Sequence, residues 1–273
     1  MKGFTILIIV LFSFASSCRL GTKKKTENQQ TGKMTIESVD CCEKGLPNRL
    51  SDAEKAQGWQ LMFDGTSSDG WRGYNKKTFP AAWIIENGTI RCKGDDSRGE
   101  AGKADGGDIV YSKQLFSDFD LRLEWKISEA GNSGVFYLGR EVAGWPIYKS
   151  ALEMQILDND KHPDSFRGKE GNRKTGSLYD LIPAIPQNTK PVGEWNSIEI
   201  VCYQGKVVHR QNGAVILQYE LWTPEWNAIV KKSKFPGLNP EWENIAKEGV
   251  IALQDHGNDV WFRNIKIRIL TDK

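Results

Sequence analysis

Residues 118–127, DFDLRLEWKI, set Phe119, Leu121, Leu123, Trp125 and Ile127 against Asp120, Arg122, Glu124 and Lys126. Strict alternation predicts a half-buried β-strand, because successive strand side chains point to opposite faces. SGVFYLG (133–139), ALEMQILD (151–158), WNSIEIVCYQG (195–205), KVVHRQNGAVILQYE (206–220) and GVIALQDHGNDVWFRNIKIRIL (249–270) continue in the same manner. WQLMFDG (59–65) opens the series, and Asn212-Gly213 marks a tight hairpin turn. Helical patterns are short, near 51–57 and 224–231, with Ser51 and Glu54 spaced as a capping box. Long loops rich in Gly, Pro and charge span 93–107, 139–150 and 159–195. Many short antiparallel strands in one stretch predict an all-β, two-sheet antiparallel sandwich with these loops over a concave face. Loops of that length in a compact domain usually carry function.

The first residues read differently. Lys2, the short apolar run FTILIIVLF and the small residues Ala15, Ser16 and Ser17 before Cys18 predict a lipoprotein signal peptide over 1–17. Cys18 would then be the lipidated first residue of an exported, membrane-anchored protein. No acidic run follows it, which favours a periplasm-facing anchor. Residues 18–57 hold a polar tether and a short N-terminal segment, and 58–270 form the folded domain. Cys41 and Cys42 are adjacent and cannot readily pair with each other. Cys92 and Cys202 lie in strand-like runs and read as buried thiols.

Composition narrows the function classes. The 273 residues carry a net charge of +2, which gives no reason to expect nucleic acid as a partner. Ten Trp suit a β core or stacking on sugar rings. No nucleophile elbow, phosphate loop, dinucleotide fingerprint or zinc-protease motif is present.

Parity places the polar residues. With Leu152, Met154 and Ile156 inward, Glu153 and Gln155 point outward; with Ile251 and Leu253 inward, Gln254 and His256 point outward. If the two strands share a sheet, these four line one surface, where a carboxylate and an imidazole could act as acid and base or bind a metal. Polar residues also populate the solvent face of any such strand. Asp255 and Arg263 have the inward parity and read as an ion pair pinning the last hairpin. Asp158, Asn159 and Asp160 suit a turn cap or oxygen ligands for calcium, and His162 and His209 read as surface residues. Tyr179 and Asp180 mark where a long loop re-enters the sandwich, and Arg140, Trp145 and Tyr148 would form either a sugar-binding rim or an ordinary loop cluster.

WQLMFDGTSSDGW, FSDFDLRLEWKI, GNSGVFYLG, LEMQILDND, GSLYDL and LQDHGNDVWFRNIKIR occur in that order. Together, over about 58–270, they resemble the 3-keto-disaccharide hydrolases, a family long labelled a domain of unknown function and common among lipoproteins of gut Bacteroidetes. The resemblance implies a concanavalin A-like jelly roll of the lectin and glucanase type. It also implies hydrolysis of glycosides or disaccharides oxidised at C3 of the sugar, by base-assisted elimination across C1–C2 and then hydration. On that basis Glu153, His256 and Tyr179 are the candidate catalytic residues. Gln155, Gln254, Arg140, Trp145 and Asp180 are candidates for substrate binding. A divalent metal ion held by Glu153 and His256 is the alternative role for that pair. The competing class is a non-catalytic carbohydrate-binding lipoprotein module, which needs aromatic platforms and amides but no titratable pair.

Overall fold

The computed structural model describes residues 47–271. The expected signal segment and tether, with Cys18, Cys41 and Cys42, lie outside the described residues. Among the described residues the first element is α1 (Asp52–Ala56), capped as its sequence predicts. Ser51 Oγ accepts the Glu54 N–H at 3.2 Å, and the Glu54 carboxylate accepts the Ser51 N–H at 2.8 Å.

Strands β1 (Trp59–Leu61), β2 (Trp71–Gly73), β3 (Trp83–Glu86) and β4 (Thr89–Cys92) follow, then the short α2 (Glu100–Ala104) and β5 (Ile109–Tyr111). The centre of the chain supplies β6 (Phe119–Ile127), β7 (Asn132–Gly139) and β8 (Leu152–Leu157). After the 159–195 loop come β9 (Asn196–Tyr203), β10 (Lys206–Gln211) and β11 (Ala214–Glu220). An excursion carries α3 (Pro224–Lys231) and α4 (Phe235–Leu238), and β12 (Val250–Leu253) and β13 (Val260–Ile269) close the domain.

The expected two-sheet antiparallel sandwich is what these strands build. One sheet of eight strands runs β11-β10-β9-β6-β13-β4-β3, with β1 also paired to β13. The other runs β2-β5-β12-β7-β8. The alternating residues Leu121, Leu123, Trp125 and Ile198 of the large sheet meet Val135, Tyr137, Leu152, Met154 and Leu253 of the small one in a single core. Each large side chain removed from water there stabilises the fold by about 1.5–3 kcal/mol. Asn212 and Gly213 both have positive φ, 48° and 85°, as a two-residue hairpin turn requires. Cys92 and Cys202 are buried free thiols.

The small sheet buries both faces, and this positions the site. Ile109, Val135, Ile251 and Leu253 face the main core, while Val110, Phe136 and Ala252 face outward into a second apolar cluster with Ile147 and Ala151. The same outward face continues beyond that cluster with polar residues. Hence every residue of β8 is buried, Glu153 and Gln155 included.

Two expectations fail here. His209 is fully buried, because Val207, His209 and Gln211 are the inward residues of β10. Its Nδ1 faces the Gly176 carbonyl at 3.1 Å, so that nitrogen donates and Nε2 accepts from the Tyr137 hydroxyl at 2.8 Å. Tyr137 in turn meets the Tyr219 hydroxyl at 2.5 Å. Nor do Asp255 and Arg263 pair. Asp255 forms a buried ion pair with Arg98 and accepts the N–H groups of Gly107 (2.7 Å) and Gly257 (3.0 Å). Arg263 turns to Glu124 at 2.7 Å and stacks over Trp195. The chain leaves β12 at Leu253, so strand parity no longer governs residue 255.

Candidate active site

Four strands converge on a cleft of about 410 Å³ at the polar end of the small sheet. Asp108 immediately precedes β5, Gln254 follows β12, Asn132 starts β7, and Glu153 and Gln155 belong to β8; all five line the cleft. The register explains the convergence. Leu253 pairs with Ile109 and with Val135, and Gly134 pairs with Gln155, so the polar residues fall in one band across the sheet. Gly134 has a particular reason to be glycine. A Cβ there would lie 2.5 Å from Glu153 Oε1, so its absence makes room for the carboxyl group over β7.

The electrostatics of this band are unusual. Burial, reinforced by the charge of Asp108, raises the Glu153 pKa to about 8, against the opposing pull of Lys234 and a hydrogen bond from Gln254. Asp108 keeps some solvent contact, but the protein around its carboxyl group raises its pKa to about 7. A hydrogen bond from the Asp255 N–H at 2.9 Å opposes that rise, and the Asp255 charge adds to it. Two buried carbonyl oxygens, Asn132 Oδ1 and Gln254 Oε1, have no hydrogen-bond partner within the protein. Unpartnered buried acceptors are costly, and in a cleft they suit the hydroxyl groups of a ligand.

The opposite wall comes from the 159–195 loop and the excursion before β12. The Tyr179 hydroxyl donates to Asp164 Oδ2 at 2.8 Å, and burial and that bond raise its pKa. Arg173 holds Asp164 at 2.8 Å and Asp180 at 2.5 Å. The Lys234 ammonium lies 4.2 Å from the Tyr179 ring centroid and 3.8 Å from Asp180. His256 is exposed at the mouth, its ring 6.1 Å from that of His162. His162 is half-buried rather than a free surface residue, and its pKa is lowered by burial and by the neighbouring His256.

Comparison with known proteins bears out the resemblance drawn from the ordered motifs. The 3-keto-alpha-glucoside-1,2-lyase-like domain family matches residues 58–268. The chain belongs to this family of enzymes. A 3-keto-disaccharide hydrolase of Bacteroides thetaiotaomicron is 42% identical, over 96% of this chain and 94% of that protein. A crystal structure from Parabacteroides distasonis, described as a candidate glycosyl hydrolase, superposes with a TM-score of 0.71 at 28% identity. That match covers 83% of this chain and all of the other. A second such structure from the same organism gives 0.54 at 25% identity, covering 73% and 99%.

Within this family member, the cleft gathers Glu153, Gln155, Tyr179, Gln254 and His256, the residues singled out by parity and by the loop re-entry. Three other candidates do not line it. Arg140 is exposed and donates to the Asn244 carbonyl at 2.9 Å. Trp145 lies at the surface beside Lys149, and the Asp180 carboxylate is committed to Arg173 and Lys234. Tyr179 lines the cleft, but its one hydroxyl proton is already given to Asp164, which makes it a poor acid. Asp158 caps its turn through the N–H groups of Ala130 and Asp160, at 2.8 and 3.0 Å. Asp108, Asn132 and Lys234 escaped the sequence reading. The pattern DIVY, in which Asp108 just before the three-residue β5 shares the parity of Val110, held a weak signal for the first. Nothing in KKSKFPG distinguishes Lys234 from its neighbours.

A resident metal ion fits this donor set poorly. Among the described residues, no three His, Cys, Asp or Glu side chains are grouped to hold one. Glu153 and His256 by themselves supply two donors, where zinc takes about four and calcium about six or more; the other open oxygens of the cleft are those of Asp108, Asn132 and Gln254. Asp255 beside them is committed to Arg98 and two backbone N–H groups, and the Lys234 ammonium already brings positive charge to the cleft.

Proposed function

We propose that the protein is a 3-keto-disaccharide hydrolase, cleaving glycosides oxidised at C3 by elimination and then hydration. The observation that carries this reading is the convergence of Glu153 and Asp108 on one cleft, where the surrounding protein raises their pKa values to about 8 and 7. Near neutral pH Asp108 is the more ionised of the two and Glu153 the more protonated, so the first can serve as a base and the second as an acid. A module that merely binds sugar has no use for two carboxyl groups held at that cost.

The chemistry follows from the substrate's ketone, which acidifies the C2 proton. Asp108, the more readily ionised member, takes that proton, and the electron pair moves onto the C3 oxygen. As the enolate collapses, a C1–C2 double bond forms and the C1–O bond to the leaving sugar breaks. Glu153 gives its proton to the departing oxygen. Water then adds at C1 while C2 regains a proton, so one glycoside and one water become a keto sugar and an alcohol. Asn132 Oδ1 and Gln254 Oε1 accept ring hydroxyls and fix the sugar over the pair. His256 and Tyr148, exposed residues of the cleft lining, would meet the leaving sugar. The segment ending at Cys18 supports an exported, lipid-anchored, periplasm-facing enzyme.

Purified protein should cleave a 3-keto-glucoside and leave its unoxidised parent intact, with solvent deuterium entering C2. Asp108→Asn should stop that deuterium uptake. Glu153→Gln should retain it and lose cleavage most severely for poor leaving groups. Cleavage of neither sugar, or equal cleavage of both, would overturn the reading.

A further inference from the structure

The elimination just described develops negative charge on the C3 oxygen inside a cleft whose carboxyl groups, Asp108, Glu153 and Asp255, offer it no positive charge. Something must offset it. Among the described residues lining the cleft, Lys234 is the only lysine or arginine.

Its placement is built rather than incidental. Lys234 is the residue before α4, and α4 is anchored by a stack of four aromatic rings. Phe235 lies on Trp242 with centroids 4.0 Å apart, Trp242 on Trp226 at 5.9 Å, and Trp226 on Tyr219 of β11 at 5.7 Å. Trp242 Nε1 donates to the Tyr148 carbonyl at 3.1 Å, and Asn239 Nδ2 to the Lys149 carbonyl at 3.0 Å. These bonds tie the excursion to the loop before β8, the strand that carries Glu153. The ammonium group is steadied by the Tyr179 ring at 4.2 Å and by Asp180 at 3.8 Å, a distance too long for a strong hydrogen bond. Its side chain stays 38% exposed, so the donor hydrogens remain open to a ligand. Asp180, paired more closely with Arg173, orients the lysine without consuming it.

We propose that Lys234 is the enolate-stabilising residue, donating to the C3 oxygen as the C2 proton departs. The inference rests on the hydrolase reading above. Burial lowers the Lys234 pKa and the Asp180 charge opposes that fall. In this role the ammonium keeps its proton while the base takes the C2 proton, the electron pair shifts to the C3 oxygen, and the ammonium supplies charge and a hydrogen bond. Pre-placed donors at a developing oxyanion are commonly worth about 10²–10³ in rate.

The test compares wild type, Lys234→Met and Lys234→Arg on methyl 3-keto-glucoside in D2O. Proton NMR follows both cleavage and deuterium at C2, and thermal melts confirm that each variant is folded. Lys234→Met should lose about 10²–10³ in kcat with KM little changed, and lose C2 exchange in parallel, while Lys234→Arg recovers part of both. Wild-type rates of cleavage and exchange in folded Lys234→Met would overturn the proposal. So would a borohydride-trapped sugar adduct on Lys234, which would make its role covalent. Loss of wild-type activity on chelation, restored by a divalent ion, would move enolate stabilisation to a metal and likewise overturn it. Failure of the wild type to cleave the keto sugar would instead bring down the hydrolase reading, and this role with it.

Discussion

The charge of Asp108 helps to hold Glu153 in its protonated form, although the two residues belong to opposite sides of a four-strand band. Removing that charge has a defined sign. An anion beside Glu153 disfavours a second anion, so Asp108→Asn should lower the Glu153 pKa from about 8, while burial keeps it above the ordinary carboxylate value. Carbon-13 NMR titration of the Glu153 carboxyl group in both proteins checks this. An unchanged or higher value in the variant would mean that the two groups do not sense one another.

Gly134 is expected to be intolerant of even one methyl group. The added carbon would press on the Glu153 carboxyl group, 2.5 Å from Oε1 and 2.9 Å from Cγ. Gly134→Ala should lower kcat/KM by about 10²-fold through misplacement of that group, with a stability loss of about 1–3 kcal/mol from overpacking. Steady-state kinetics below the melting temperature separate the two effects.

Arg98 and Asp255 are each other's main charge partner, with side chains only 7% and 4% exposed. Arg98→Met should cost about 3–5 kcal/mol, because it strands a buried carboxylate. Arg263→Met breaks a half-exposed pair with Glu124 and should cost about 1 kcal/mol or less. Urea unfolding of the two variants gives the ranking, and equal losses would contradict the assignment of Asp255 to Arg98.

His209 makes the fold sensitive to acid. Burial lowers its pKa from 6.5 to about 4, against the hydrogen bond to Gly176. The unfolded chain therefore takes up a proton before the folded one does. Stability conferred by the neutral ring is whole above pH 6.5 and falls as the pH drops toward 4, by up to about 1.4 kcal/mol per pH unit. His209→Leu should be less stable than wild type at pH 7, because the Gly176 carbonyl loses its donor and Tyr137 keeps only one of its two hydroxyl partners. It should also show a flatter decline between pH 6.5 and 4, read from melting temperatures across that range.

Much of the fold was legible in the chain because its information is local. The alternation of 118–127 appears as β6, Asn212-Gly213 makes its turn, and Ser51 and Glu54 cap their helix. Parity also set Glu153, Gln155 and Gln254 apart from the main core, and they do line one cleft. Parity misled where it was applied beyond a strand's end, at Asp255, or to the wrong face, at His209.

What the sequence alone determined was which residues alternate, where the chain turns, and which family it resembles. What only the tertiary structure decided was which distant residues share a dielectric environment. Asp108 and Glu153 are ordinary carboxylates until two strands between them bring their charges together and exclude water. Lys234 is one of several lysines until the stack of Phe235, Trp242, Trp226 and Tyr219 sets it over the cleft. A side chain's direction within a strand follows from neighbouring bonds, but its pKa and its charge partners depend on the whole packed neighbourhood, which no local pattern encodes.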